Sequence, residues 1–453
     1  MPDKELVGMS PEEPESRLDA RNERLTEQKA VTQVGSGPDR HWIFRPKRAW
    51  PLYLVLALGL FGAGVFHGRS SSAAASRQTG QGKVLVADQA LALKAGPWGN
   101  LEYIPIDIEP PQEFLSIQRI ESLDWRWSFK GQSRETLQAF FDTIHLPPQQ
   151  EAELLDPAHG AVTADGVIVA PSQELILSLS PDQRKAIYTL LGQTPDNPFD
   201  KVKVWFRADS FEEQFEHSGL STQTIDLVKQ MSFPRGKLLF FCDAKTVLNT
   251  LGTYDEKVRL MKTLLRKRTL LMKLRVTPDT RIEPLVNYWG KAARGMDLRP
   301  LLESLANVPG GARLDLVHLL PPIPSANLYT FPFPSTDPGE IPKDCHWASF
   351  NFFRNPPVTR YADLQSVTEA LQTDYYPVLS DPRYGDIVVL VKAPNQILHT
   401  AVFIADNIVY TKNGPSFAEP FLLMRMPDLV DLFSGMIPEN EQLQVFYFRN
   451  KYY

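Results

Sequence analysis

Near the C-terminus, Asp344-Cys345-His346-Trp347 opens one apolar run, Gly385-Asp386 turns into a second, and His399-Thr400-Ala401-Val402 opens a third. A thiol at a helix start and an imidazole at a strand end are the parts of a Cys-His nucleophilic site, in which a thiolate attacks a carbonyl carbon and the imidazole carries protons. A free thiol, with a pKa of about 8.5, is mostly protonated at neutral pH and needs help. Behind Cys345, Trp347, Phe350 and Phe353 recur at helical spacing, and Asp344 has the side chain of an N-cap. That places Cys345 in a first helical turn, where unpaired N–H groups and the helix dipole favour the thiolate. The charge of Asp344 opposes this, so a histidine at hydrogen-bond distance is required, and His399 is the expected base.

A third group should orient the imidazole. Asp406-Asn407 is a tight-turn signal, and Ile408 to Lys412 reads as the return strand, so the group comes from Thr411, Lys412 or Asn413. Thr411 and Asn413 share one face of that strand and Lys412 takes the other. Asn413 is favoured because its amide oxygen can accept the imidazole N–H. The expected catalytic residues are therefore Cys345, His399 and Asn413. His346 is a direct helical neighbour of Cys345 and points about 100° away from it, which suits packing or substrate contact rather than the base.

Cys at a helix start, Gly-Asp before a strand, His opening a strand, then Asp-Asn and a polar residue, in that order, resembles the NlpC/P60 cysteine peptidases and amidases, papain-like enzymes that cut bacterial cell-wall peptides. The resemblance covers Tyr329 to Asn413. It implies Cys345 as nucleophile, His399 as base, a polar third residue among Thr411, Lys412 and Asn413, and Tyr329 as the tyrosine placed upstream near the oxyanion. It also implies a helix packed on an antiparallel sheet and a peptidoglycan-like substrate or partner. One departure is plain: where the family has Ser-Gly after the cysteine, this chain has His346-Trp347, and an indole is far bulkier than glycine beside a substrate groove.

The elements that must position these residues follow from patterning. The last domain, 323–453, holds the Cys345 helix, a helix from Tyr361 to Thr373, strands at Asp386 to Val391, His399 to Ala405 and Ile408 to Lys412, a short helix at Pro427 to Phe433, and a closing strand from Glu441 to Arg449. Pro321-Pro322 and Pro324 mark its start. Before it stand two mixed α/β regions, 83–200 and 201–322. Ser180 before Pro181 and Thr253 three residues before Glu256 announce helix starts, and Lys237 to Asp243 reads as a buried strand with Cys242 as a core thiol. The helix after Thr253 carries a basic face, Lys257 to Arg268, read as solvated, with contact to an anionic surface as the sharper alternative. A Cys242–Cys345 disulfide would consume the nucleophile, and free thiols are expected.

The N-terminal part carries a different message. Residues 1–48 are polar and charged and are expected to form a disordered cytoplasmic tail. Ala49 to Phe66 is uncharged, follows Arg45, Lys47 and Arg48, and at about 1.5 Å per residue reaches roughly 27 Å, so 49–67 is expected to be a single transmembrane helix. Its basic flank puts the N-terminus in the cytoplasm and everything after Gly68 in the periplasm or outside, anchored in the inner membrane. Residues 68–82, rich in Ser, Ala and Gly, form a linker, and Ala73-Ala74-Ala75 is a possible cleavage site if the segment is instead a signal peptide. The full expected architecture is α+β: an anchor helix, two mixed regions and a C-terminal papain-like domain.

With 453 residues and a net charge of −5, the chain has no bulk attraction to nucleic acid. It shows no glycine-rich phosphate loop and no zinc spacing, so no cofactor or metal is expected. The expected function is a membrane-anchored extracytoplasmic cysteine hydrolase acting on cell-wall peptide or a related amide. The alternative is a catalytically inactive scaffold or binding protein of the cell envelope, favoured by Trp347.

Overall fold

The computed structural model describes residues 90–158, 160–194, 197, 203–334, 342–438 and 441–453. The expected tail, the apolar stretch 49–67, the linker 68–82 and His159 lie outside them.

The first strands are β1 (Leu91–Ala92) and β2 (Asn100–Ile108). A three-stranded sheet of order β3-β5-β4 follows, from β3 (Trp127–Lys130), β4 (Gly160–Thr163) and β5 (Gly166–Val169). Another of order β6-β8-β7 is built from β6 (Val204–Arg207), β7 (Phe233–Arg235) and β8 (Leu238–Phe241). β9 (Lys267–Val276) and β10 (Ala312–Asp315) return to the first strands and complete the order β1-β2-β9-β10, so segments on both sides of residue 200 share one sheet. The last sheet is β11 (Tyr375–Val378), β12 (Ile387–Lys392), β13 (Gln396–Ala405), β14 (Ile408–Lys412), β15 (Phe421–Arg425) and β16 (Leu443–Asn450), in the order β11-β16-β12-β13-β14-β15. Its strands pair antiparallel throughout.

This six-stranded sheet is apolar on both faces, which is why β12 and β13 read as nearly continuous hydrophobic runs. Val388, Leu390, Ala401, Phe403 and Val409 face a core built with residues 115–264 and with Leu429, Leu432 and Phe433 of the helix Met426–Ser434. Ile387, Val389, Val402, Ile404, Ile408 and Tyr410 face a second core, shared with β9, the helix Ile282–Trp289 and the Cys345 helix. The sheet therefore draws its two covering layers from chain segments on both sides of residue 323. Its β15 edge is held by Thr269, whose hydroxyl donates to Leu423 O and accepts from Leu423 N, each at 3.0 Å.

Local signals in the sequence act as chemistry requires. Ser180 and Thr253 each close a capping box, with Gln183 and Glu256, on the helices Pro181–Leu191 and Tyr254–Leu265. The basic residues after Thr253 are largely engaged: Lys257 pairs with Glu121 at 2.5 Å, Arg266 with Glu109 at 2.8 Å, and Arg268 with Asp107 at 3.0 Å. These ion pairs staple the helix and β9 to earlier segments, so the solvated-face reading gives way to intramolecular contact for those three.

The expected fold class needs correction. The structure is mixed α/β with antiparallel sheets, and among the described residues no helix is long and apolar enough to cross a membrane. The longest described helices, Tyr254–Leu265 and Gly295–Ala306, have 12 residues each. At about 1.5 Å per residue they reach ~18 Å, against the ~30 Å of a bilayer core.

Candidate functional site

Asp344 caps the short helix Cys345–Phe350 as its position suggests, its Oδ1 accepting from Trp347 N–H at 2.8 Å. All six residues of the helix are buried. The helix lies on β13 and β14. Trp347 packs its ring edge toward Phe421 of β15, with centroids 6.2 Å apart, and the Lys343 ammonium sits 5.2 Å from the indole centre. The Trp347 indole is thus spent on packing the helix to the sheet.

Which residue of β13 meets this helix is decided by strand alternation. Thr400 does: its Oγ1 is 3.0 Å from His346 Nδ1, and its backbone hydrogen-bonds the Cys345 sulfur. Thr400 also stands opposite Val389, a residue of the same core as the Cys345 helix. His399, one residue earlier, points to the other face. Its ring stacks on Phe433 with centroids 4.2 Å apart, and it stands opposite Leu390 of the other core. The expected couple of Cys345 and His399 is therefore split by the sheet, and the structure does not bring the two side chains together.

Asn413 also needs restating. His399 Nε2 lies 2.7 Å from Thr411 Oγ1, and the Thr411 hydroxyl donates to Asn413 Oδ1 at 3.1 Å. A hydroxyl has one proton, so Nε2–H donates to Thr411, and Asn413 reaches the imidazole only through it. Tyr329 is turned to β9, donating its hydroxyl to Leu270 O at 2.8 Å. The Gly-Asp turn is architectural. Gly385 has φ +87°, and a Cβ there would fall 2.2 Å from the Phe353 ring. Asp386 is buried and ion-paired with Arg449 at 2.7 Å.

Lys412, one of the three candidates for the group that orients the imidazole, stands on the other face of β14. Extending the register Val402↔Tyr410 by two positions sets Lys412 opposite Thr400, on the face of the Cys345 helix. Its ammonium is fully buried and donates to Gly414 O and, at 2.9 Å, to Ser416 O. The alternation that separates Lys412 from Thr411 was the available signal. Thr400 and His399 share one unbroken register with Val402 and Ala401, so simple alternation from Val402 sets Thr400 on the face of the Cys345 helix.

Electrostatics follow burial. Desolvation, then the charge of Asp344, pushes the Cys345 thiol up to about 12, against the opposing help of the Thr400 and His346 backbone and of Lys412. Burial holds His399 well below the ordinary histidine range, with His346 adding to the effect. His346 is likewise lowered by burial, partly offset by Asp344. Lys412 is lowered to about 8 by burial, with Glu419, Asp344 and Cys345 acting the other way. At neutral pH the site thus holds a protonated thiol, two neutral imidazoles on opposite faces and an ammonium. One further grouping is present: ligand atoms of Asp344, Cys345 and His346 all lie within 4.8 Å of one another. Neither cysteine forms a disulfide and both are buried, and Cys242 belongs to the core that Phe433 and His399 border.

Compared with known proteins, the chain matches no family model, no curated protein and no solved structure.

Proposed function

We propose that this chain is a binding or scaffold protein that keeps the motif order of an NlpC/P60-like core without its proton-transfer couple. The observation that carries the reading is the alternation in β13, where Thr400 meets the Cys345 helix and His399 stacks on Phe433 across the sheet. A thiol held near pKa 12, with the sheet between it and His399, is a weak nucleophile at neutral pH. Trp347, packed toward Phe421, occupies the place where the family keeps a small residue beside its groove. The ligand class that the resemblance implies is a peptide-bearing cell-wall polymer.

The hydrolase reading keeps one observation in its favour: the Lys412 cation acts on Cys345 and favours its thiolate. The two readings separate on purified, insoluble peptidoglycan incubated with the full chain. The binding reading expects the chain and its Cys345→Ser variant to sediment equally with the polymer, with no new amino groups released. Release of amino groups by the unaltered chain, abolished in Cys345→Ser, would establish the hydrolase instead.

A further inference from the structure

From the cluster at the start of the Cys345 helix we infer a site for a borderline divalent cation of the zinc class, held by Asp344, Cys345 and His346. The three residues offer a carboxylate oxygen, a sulfur and an imidazole nitrogen, all within 4.8 Å of one another. That donor set suits zinc, cobalt or nickel rather than calcium or magnesium, which take oxygen ligands. In a tetrahedral zinc site, ligand atoms stand ~3.5 Å apart, so closing the cluster needs movements of about 1 Å.

Two observations outside the cluster point the same way. The Thr400 hydroxyl, from β13, holds His346 Nδ1 at 3.0 Å, and Nε2 has no hydrogen-bond partner among the described residues. In the tautomer that donates Nδ1–H to that hydroxyl, Nε2 keeps its lone pair, which is the arrangement that orients a ligating histidine. His346 and Cys345 are both buried, with 8% and 5% of their surface exposed, so a cation there would be shielded from bulk water. Asp344 is partly exposed and gives the route in.

Binding forms a metal–sulfur bond and releases the thiol proton to solvent. Thiolate and carboxylate then bring two negative charges that match the two positive charges of the cation, while the nearby Lys412 ammonium is already held by Gly414 O and Ser416 O. With three protein ligands, the fourth position is left to water or a small anionic ligand. The sequence hid the site because consecutive residues match no spaced ligand motif.

Cobalt(II) added to the full chain is the probe, read by the thiolate-to-cobalt charge-transfer absorption and by proton release. The expected result is one cobalt per chain, displaced by zinc, with the band lost in Cys345→Ser and His346→Ala and kept in Cys242→Ser. Thr400→Val, which leaves all three ligands in place, should weaken affinity by about 10–100-fold. Circular dichroism of each variant separates loss of ligand from loss of fold. A folded, unaltered chain that gives no band, or a band that survives in Cys345→Ser, overturns the assignment.

Discussion

At the residue scale, the decisive quantity is how buried titratable groups are supported. Cys345, His346, His399 and Lys412 sit within two strands and one helix turn of each other, and burial is the leading influence on every one of them. The N-cap role of Asp344 was legible in the sequence, as was the face shared by Thr411 and Asn413. Which face met the thiol was not, because a one-residue offset in a strand exchanges every side chain between layers. A pH dependence follows from the two histidines. Both are depressed in the folded chain, while in the unfolded chain they titrate near the ordinary value of about 6.5. Above that pH neither state binds the protons and the histidines contribute nothing. As pH falls below it the unfolded chain takes up protons that the folded chain refuses, so stability drops. Urea unfolding at pH 7.5 and 5.5 should show a loss of roughly 1.5–3 kcal/mol, with a smaller loss in His399→Asn. A stability that is flat across that window would contradict the buried, neutral imidazoles.

At the element scale, local rules and tertiary demands can be compared directly. The capping boxes at Ser180 and Thr253 place the helices Pro181–Leu191 and Tyr254–Leu265 from sequence alone, because the cap is satisfied within four residues. The ion pair formed by the first of these helices was not legible, since its partner lies far along the chain. Arg184 of that helix pairs with Asp243 just after β8, and Tyr188 donates its hydroxyl to the same carboxylate, with Arg184 and Asp243 fully buried. Burial pushes Asp243 up while Arg184 holds it down, so the carboxylate depends on that guanidinium. Arg184→Met should therefore cost about 3–5 kcal/mol, the usual penalty for leaving one partner of a buried pair uncompensated. Replacing both, as Arg184→Met with Asp243→Leu, should recover most of it. A single variant as stable as the unaltered chain, measured by urea unfolding, would mean that water reaches Asp243.

At the scale of the whole molecule, the six-stranded sheet is the partition. The sequence showed its strands, because Ile387 to Val391 and Ala401 to Ala405 are long apolar runs, but it did not show that residues 115–264 would cover one of its faces. Such coverage depends on contacts far apart in the chain, which patterning within a segment cannot record. The arrangement couples the two cores through neighbouring residues of β12. Val389 faces one and Leu390 the other, both essentially inaccessible. Val389→Ala should lower stability by about 1.5–3 kcal/mol and Leu390→Ala by about 2–5 kcal/mol, each moving the same single unfolding transition. Two separate transitions, with one variant affecting each, would show that the layers unfold independently. The same partition separates Cys345 from His399, and the most direct test is the rate of alkylation of Cys345 against pH in the full chain, with His399→Ala alongside and Cys242→Ser removing the second thiol. If the sheet stands between thiol and imidazole, labelling stays slow through pH 9, rises only toward a midpoint near 12, and is indifferent to His399→Ala. Fast labelling below pH 8 that slows in His399→Ala would contradict the account and restore a coupled thiolate–imidazole pair.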